Sequence, residues 1–275
     1  MGKNRIHQLT TQCGGQMMSY VIETADDKLI VVDGGYESEA AYLLNYMKEL
    51  KGTDTVHVDA WLLTNKHSDH ILALVQLINE DRDDLTIDKV YLKFPSLELV
   101  EKYENESLLT SQKFAAAEEK LRAKAEIIEF EEGMKLDIGE AHIEVLWVPD
   151  FSEPHNFINN ASTVFRVTMN GTTMLFLGDL GVESGIDLLE KQGANLKSDY
   201  VEMAHHGQNG VDRPVYDAIA PKGCFWDTPQ WLWDNNAGNG WNSHIWKTVI
   251  VQGWMAQLGV KEHYAIKDGT NVVEF

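Results

Sequence analysis

The apolar positions of this chain switch repeatedly between the two-residue period of a strand and the 3.6-residue period of a helix. Residues 19–33, "SYVIETADDKLIVVD", read as two strands joined at Asp26-Asp27 and closed by a glycine turn after Asp33. Ser38 is placed to cap a helix in which Ala41, Leu43, Leu44, Met47 and Leu50 recur at helical spacing until Gly52 stops it. "VDAWLLTN" (58–65) is a buried strand that turns straight into the helix "DHILALVQLINE" (69–80). "IDKVYLKF" (87–94) is another strand, and residues 97–126 form a long charged helical stretch, broken near Thr110.

From there the pattern is richer in strands. "EIIEF" (126–130), "HIEVLWVP" (142–149) and "STVFRVTMNGTTMLFLGD" (162–179) follow, the last with a hairpin turn at Asn170-Gly171. A helix (184–192), the strand "DYVEMAHH" (199–206), a short helix "VYDAIA" (215–220) and the strand "CFWD" (224–227) come next. The chain ends in a helix around 244–258 and in "EHYAIKDGTNVVEF", a hairpin turning at Asp268-Gly269. Two similar halves with interleaved helices imply two sheets packed face to face with helices outside. No Pro/Gly/Ser-rich linker divides them, so residues 1–275 are expected to form one domain.

Charge narrows the partners. The formal net charge is -20, from 43 acidic and 23 basic residues. Such a surface repels phosphate backbones and anionic membranes, and no Lys/Arg cluster offers a groove for long nucleic acid. A small phosphate ester is not excluded. Cys13 and Cys224 are expected as small buried thiols in a reducing compartment. No signal-peptide core and no run of roughly 18 apolar residues is present, which makes a cytoplasmic protein without a membrane span the expectation. Oligomeric state is open.

The candidate chemistry gathers at strand ends. Asp33 closes "LIVVD"; His67, Asp69 and His70 follow "AWLLT"; Asp179 closes "TMLFLGD"; His205 and His206 close "DYVEMA". Metal-competent side chains at several strand ends converge when those ends share one edge of the sheets. His67, Asp69 and His70 also suit a charged turn before a helix, with Asp69 as its N-cap.

The order D-G-G, T-x-x-H-x-D-H, N-x-S, G-D, H-H-G resembles the metallo-β-lactamase superfamily over nearly the whole chain. Within it the likeness is nearest to the hydrolase domain of bacterial DNA-uptake channel proteins and to phosphorylcholine esterases. The resemblance implies an α+β fold, the αβ/βα four-layer sandwich, with one or two metal ions, usually zinc, and hydrolysis by a metal-bound hydroxide. One metal site then comprises Asp69, His70, Asp179 and His205, with Asp179 bridging if two ions bind. The other is weaker, because the family's histidines are replaced by Asn65 and Asn160 and only His67 remains. Amide oxygens favour a hard ion such as Mn2+ there over zinc.

Around this set, Asp33 either orients a ligand through a hydrogen bond or is a simple turn residue. Asp69 and Asp179 are candidates to orient the nucleophile or take its proton. His206 points away if its strand stays extended, and either contacts substrate or packs. Lys66, between two inward-facing neighbours, also points away. His155 is a rival ligand or a substrate contact from its loop. Trp231, Trp233 and His244 belong to the tryptophan-rich segment 226–246, which is either an aromatic wall for substrate or an aromatic-rich core. The expected activity is hydrolysis of a small phosphoester. The alternatives are a carboxylic ester, lactone or amide hydrolase on the same site, and a non-catalytic binding protein with a degenerate first site.

Overall fold

The computed structural model describes residues 2–275. Its elements are β1 (Arg5–Gln8), β2 (Ser19–Glu23), β3 (Leu29–Asp33), α1 (Ala40–Lys51), β4 (Val56–Leu62), α2 (Ser68–Asn79) and β5 (Leu85–Leu92). Then come α3 (Leu97–Tyr103), α4 (Leu108–Lys124), β6 (Glu126–Glu129), β7 (Lys135–Ile138), β8 (Ala141–Trp147), α5 (Phe157–Asn160), β9 (Val164–Met169) and β10 (Thr172–Phe176). The chain finishes with α6 (Val182–Gln192), β11 (Tyr200–Glu202), α7 (Arg213–Ile219), β12 (Gly223–Trp226), α8 (Gln230–Trp233), α9 (Thr248–Leu258), β13 (Glu262–Ala265) and β14 (Asn271–Glu274). None of the described helices is long and apolar enough to cross a membrane.

The strands form two seven-stranded mixed sheets, in the orders β14-β1-β2-β3-β4-β5-β6 and β13-β12-β11-β10-β9-β8-β7. The near-continuous apolar runs of β2, β3 and β4 arise because both faces of each strand are covered. Tyr20, Ile22, Ile30, Val32, Ala60 and Leu62 face the opposite sheet and pack with Val145, Phe165 and Phe176. Their neighbours Val21, Leu29, Val31, Trp61 and Leu63 face α1, α2 and α4 instead. On the far side, Leu175, Val201, Cys224 and Trp226 pack with Leu188, Val215 and Met255 of α6, α7 and α9. This is the α+β four-layer sandwich expected from the sequence. Strands β3 to β6 run parallel, as do β10 to β13, so their C-terminal ends line one edge of each sheet.

Four local expectations are corrected. The final segment is no hairpin: β13 pairs parallel with β12, whereas β14 pairs antiparallel with β1 in the other sheet. A 3-10 turn at Ile266–Asp268 carries the chain across, and Val273 and Phe275 close the layer between the sheets. The charged helical stretch breaks at 104–107, not at Thr110. The caps differ too: α1 follows a 3-10 turn at Glu37–Glu39 without a Ser38 side-chain cap, and His67, one residue before α2, occupies the cap position expected of Asp69. Of the two thiols expected to be buried, only Cys224 is; Cys13 is exposed.

Candidate metal centre

Strand ends aim the polar groups inward from both sheets. Asp33 ends β3 with φ +54°, and its carboxylate accepts from the Thr64 backbone N–H (2.8 Å) and the Thr64 hydroxyl (2.6 Å). It also accepts from His70 Nδ1 at 2.7 Å, which leaves His70 Nε2 directed at Asp179 Oδ2, 3.1 Å away. Asp179 follows β10 after Gly178, whose φ is +56° and whose hydrogen faces the Thr64 side chain where a Cβ would meet it at 3.0 Å. The Asp179 N–H donates to Ser162 Oγ (3.1 Å).

His206 Nε2 lies 3.1 Å from Asp69 Oδ2 and 3.5 Å from Asp179 Oδ1, yet neither of its ring nitrogens makes a hydrogen bond. Asp69, His70 and His206 each offer a ligand atom within 4.8 Å of the others, and all three are buried. Asp179 is 2% exposed beside them. Two buried carboxylates without a Lys or Arg partner among the described residues are costly unless a cation balances them. Two carboxylates and two imidazoles, of which His206 has both nitrogens unpaired, fit a divalent ion such as zinc.

The electrostatics record the same strain. Burial alone would lower the His70 and His206 pKa values, but Asp179, with Asp33 or Asp69, outweighs it and raises both. Burial pushes the Asp69 and Asp179 carboxyls up, and the adjacent imidazoles outweigh it and hold both below the usual carboxylate range. Each anion is stabilised by the positive charge that a bound ion would supply.

His67 reaches a second carboxylate that sequence reasoning missed. Its Nδ1 lies 3.3 Å from Asp179 Oδ2, while Nε2–H donates to Glu104 Oε1 at 2.6 Å. Glu104 also accepts from Ser107 Oγ (2.7 Å) and from the Ile158 N–H (2.8 Å). Burial lowers the His67 pKa, but Asp179 and Glu104 outweigh it and hold it at about 9. In sequence, Glu104 is one more acid in a charged helical stretch. Only the helix break beside it brings it to His67, 37 residues away.

The sequence-named residues separate as follows. His206, not His205, joins Asp69 and His70. The alternation expected of "DYVEMAHH" fails because β11 ends at Glu202 and both histidines adopt left-handed backbone, φ +51° and +56°. His205 is half-buried with Nδ1 unpaired, near enough to Asp179 and His67 to feel their charge, and burial lowers its pKa to about 4. Asn65 turns its Oδ1 to the His67 N–H (2.9 Å). Asn160 is spent elsewhere, donating to the His155 carbonyl and Glu183 and accepting from the Ser184 N–H. His155 is exposed and pairs with Glu183 (3.0 Å). Lys66 points away, as strand alternation implies, and burial lowers its pKa to about 8.

The tryptophan segment divides. Trp233 packs on buried Trp226 at 5.2 Å between ring centroids. Trp231 donates to the Gly14 carbonyl (2.9 Å) and meets Trp246, on which His244 stacks at 3.7 Å. A further exposed group, His57 with Asp59 and Asp88, lies at the opposite end of β4, where Asp59 already accepts from Lys28 and the Leu29 N–H.

Gly207 explains the third letter of H-H-G. Its φ is +75°, and an added Cβ would meet the Trp226 ring at 2.4 Å. Gly207→Ala is expected to cost about 1–3 kcal/mol and to displace His206. Urea unfolding and metal content measure the two effects.

Behind His206, buried Asp227 accepts from Gln8 (2.9 Å) and Tyr20 (2.9 Å), and burial pushes its pKa up to about 7. Neighbouring Glu202 is raised by burial and by Asp227. An unfolded Asp ionises near pH 4, so between there and about pH 7 the folded chain holds a proton that the unfolded chain has lost. The contribution of Asp227 to the stability of the metal-free protein therefore falls as pH rises through that window. Asp227→Asn is expected to flatten the fall, read from urea midpoints at pH 5 and pH 8.

The strand ends of this sandwich gather carboxylates and imidazoles into a group that could hold a metal ion. A family model described as the metallo-beta-lactamase superfamily matches residues 14–223, and the chain belongs to that superfamily. Competence protein ComA of Neisseria gonorrhoeae is 35% identical over 65 residues, covering 23% of this chain and 9% of that protein. The chain thus matches only a small part of that relative's length. Among solved structures, the metallo-beta-lactamase fold protein YhfI from Bacillus subtilis is 14% identical, with 98% of this chain and 99% of that chain covered and a TM-score of 0.57. A diphosphatase of the PhnP family is 12% identical, with 98% of each chain covered and a TM-score of 0.51. At these identities the structural likeness establishes the fold.

Proposed function

We propose that this protein is a metal-dependent hydrolase of small phosphoesters, with the ion held by Asp69, His70, Asp179 and His206. The observation that carries the reading is that buried cluster, whose His206 nitrogens lack hydrogen-bond partners. A divalent ion supplies Lewis acidity and a water acidified to a pKa of about 7.

The chain's own residues do the rest. Asp33 holds the proton on His70 Nδ1, and Glu104 holds the proton on His67 Nε2, so both imidazoles present their other nitrogen towards Asp179. Asp179 stands between the two histidines and is the group placed to orient a nucleophile. Tyr36, whose pKa burial and the Asp69 charge raise further above its ordinary value, offers a hydroxyl donor at the wall of a pocket of about 610 Å³ shared with Cys13 and Gly15. The small-phosphoester assignment is supported by the diphosphatase likeness in fold and by a negative surface that disfavours polymeric substrates. Zinc suits the complete set. His67 alone marks the weaker position.

The test is hydrolysis of p-nitrophenyl phosphate and bis(p-nitrophenyl) phosphate beside p-nitrophenyl acetate and a lactone, before and after chelation. Chelator-sensitive release from the phosphoesters supports the assignment; turnover of only the carboxylic esters transfers it to that class. No turnover with zinc or manganese would favour a binding protein, a reading that the diverted side chains of Asn65 and Asn160 support. Glu104→Gln is expected to weaken metal binding at the His67 position about 10- to 100-fold, measured by competition with a chromogenic chelator.

A further inference from the structure

We propose that a second cavity, on the other side of the Asn65–His67 segment from the metal centre, binds a small organic monoanion. The ligand's carboxylate would sit on Lys66 Nζ and its compact apolar body against Phe94 and Phe114. This goes beyond the proposed hydrolysis and does not depend on it.

The cavity has a volume of about 560 Å³ and lies among Lys66, Phe94, Phe114, Leu97 and Ile127, with Arg122 at its edge. That is the size range of small-molecule sites, which are mostly apolar with a few placed polar groups. Lys66 is the polar group. Only 5% exposed, it donates one hydrogen bond, to the Pro95 carbonyl at 3.2 Å. The ammonium has three donors to place. Its nitrogen also lies 5.6 Å and 5.8 Å from the ring centroids of Phe94 and Phe114, so the aromatic walls flank the charge.

The Glu118 charge reaches Lys66 from across the cavity, but among the described residues no acid pairs with it directly. Of the acids that line the cavity, Glu118 is paired with Arg122 at 2.6 Å and Glu129 with Lys93 at 2.7 Å. Among the described residues Lys66 makes no ion pair with either of them. A buried ammonium without a counter-ion is costly, and a methionine would fill the same space without that cost. Long lysines ordinarily carry their charge out to solvent; here the charge stays inside, facing a cavity. On a chain of net charge -20, an aromatic-walled cavity whose buried ammonium has no direct ion pair among the described residues selects an anion with an apolar body.

Isothermal titration of the full chain with benzoate and hexanoate, beside benzamide and hexanamide, tests the site. The acids are expected to bind saturably and at least about tenfold tighter than their amides, the difference that a charged hydrogen bond supplies. Lys66→Met should abolish that preference. Ala115→Phe, at a half-buried position of α4 on the cavity wall, should weaken acids and amides together while leaving Lys66 in place. It also keeps the test decisive if Lys66→Met fails to fold. Equal affinity for acid and amide, an absence of saturable binding, or acid binding unchanged in Ala115→Phe would overturn the proposal. The last result would locate the acid on the metal centre instead.

Discussion

Asp179→Ala is expected to empty the metal centre and remove hydrolysis together. Asp179 is the one carboxylate within reach of three imidazoles: 3.1 Å from His70 Nε2, 3.3 Å from His67 Nδ1 and 3.5 Å from His206 Nε2. Its loss deprives the complete set of an anionic ligand and the weaker position of its connection to it. Removing even an outer partner of a metal ligand costs about 10- to 100-fold, so losing Asp179 itself should cost more than about 100-fold in metal affinity and in kcat/KM. The fold should survive, because the Asp179 side chain has no apolar packing role and its backbone N–H still donates to Ser162. Elemental analysis after gel filtration and a thermal melt separate loss of metal from loss of fold. Parent-like metal content in the variant would remove Asp179 from the ligand set.

The second large effect distinguishes adjacent histidines. His206→Ala is expected to lose metal at the complete site, whereas His205→Ala should retain it. The His206 ring is 1% exposed, stands next to Asp69 and Asp179, and has both nitrogens free to coordinate. The His205 ring stands outside the group formed by Asp69, His70 and His206. Metal per chain in the two variants reads the difference directly. Loss in His205→Ala with retention in His206→Ala would restore the assignment implied by family resemblance alone.

What was legible in the sequence follows from where each residue's constraints lie. Asp33, His67, Asp69, His70 and Asp179 abut apolar strand runs, and a parallel strand delivers its C-terminal residues to one edge whatever surrounds it. The choice between His205 and His206 was not legible, because alternation assumes an extended backbone and both residues leave it. Gly207 hinted at such a turn; its demand arises from the Trp226 ring, nineteen residues further on. Asn160 aligned with a ligand position, but its amide is claimed by Glu183 and Ser184 of α6, contacts that spacing does not encode. Glu104 was hidden for the converse reason: nothing local separates an acid on a solvated helix from one at a helix break. At the C-terminus, alternation correctly marked β13 and β14 as strands, but not that Val273 and Phe275 take the second one into the other sheet.

The most direct test of the central claim is anomalous diffraction from crystals of the zinc-loaded protein at the zinc edge. The account predicts a peak enclosed by Asp69, His70, Asp179 and His206, with any second, weaker peak between Asp179 and His67. Density elsewhere, or no peak in that cluster at saturating zinc, would contradict it.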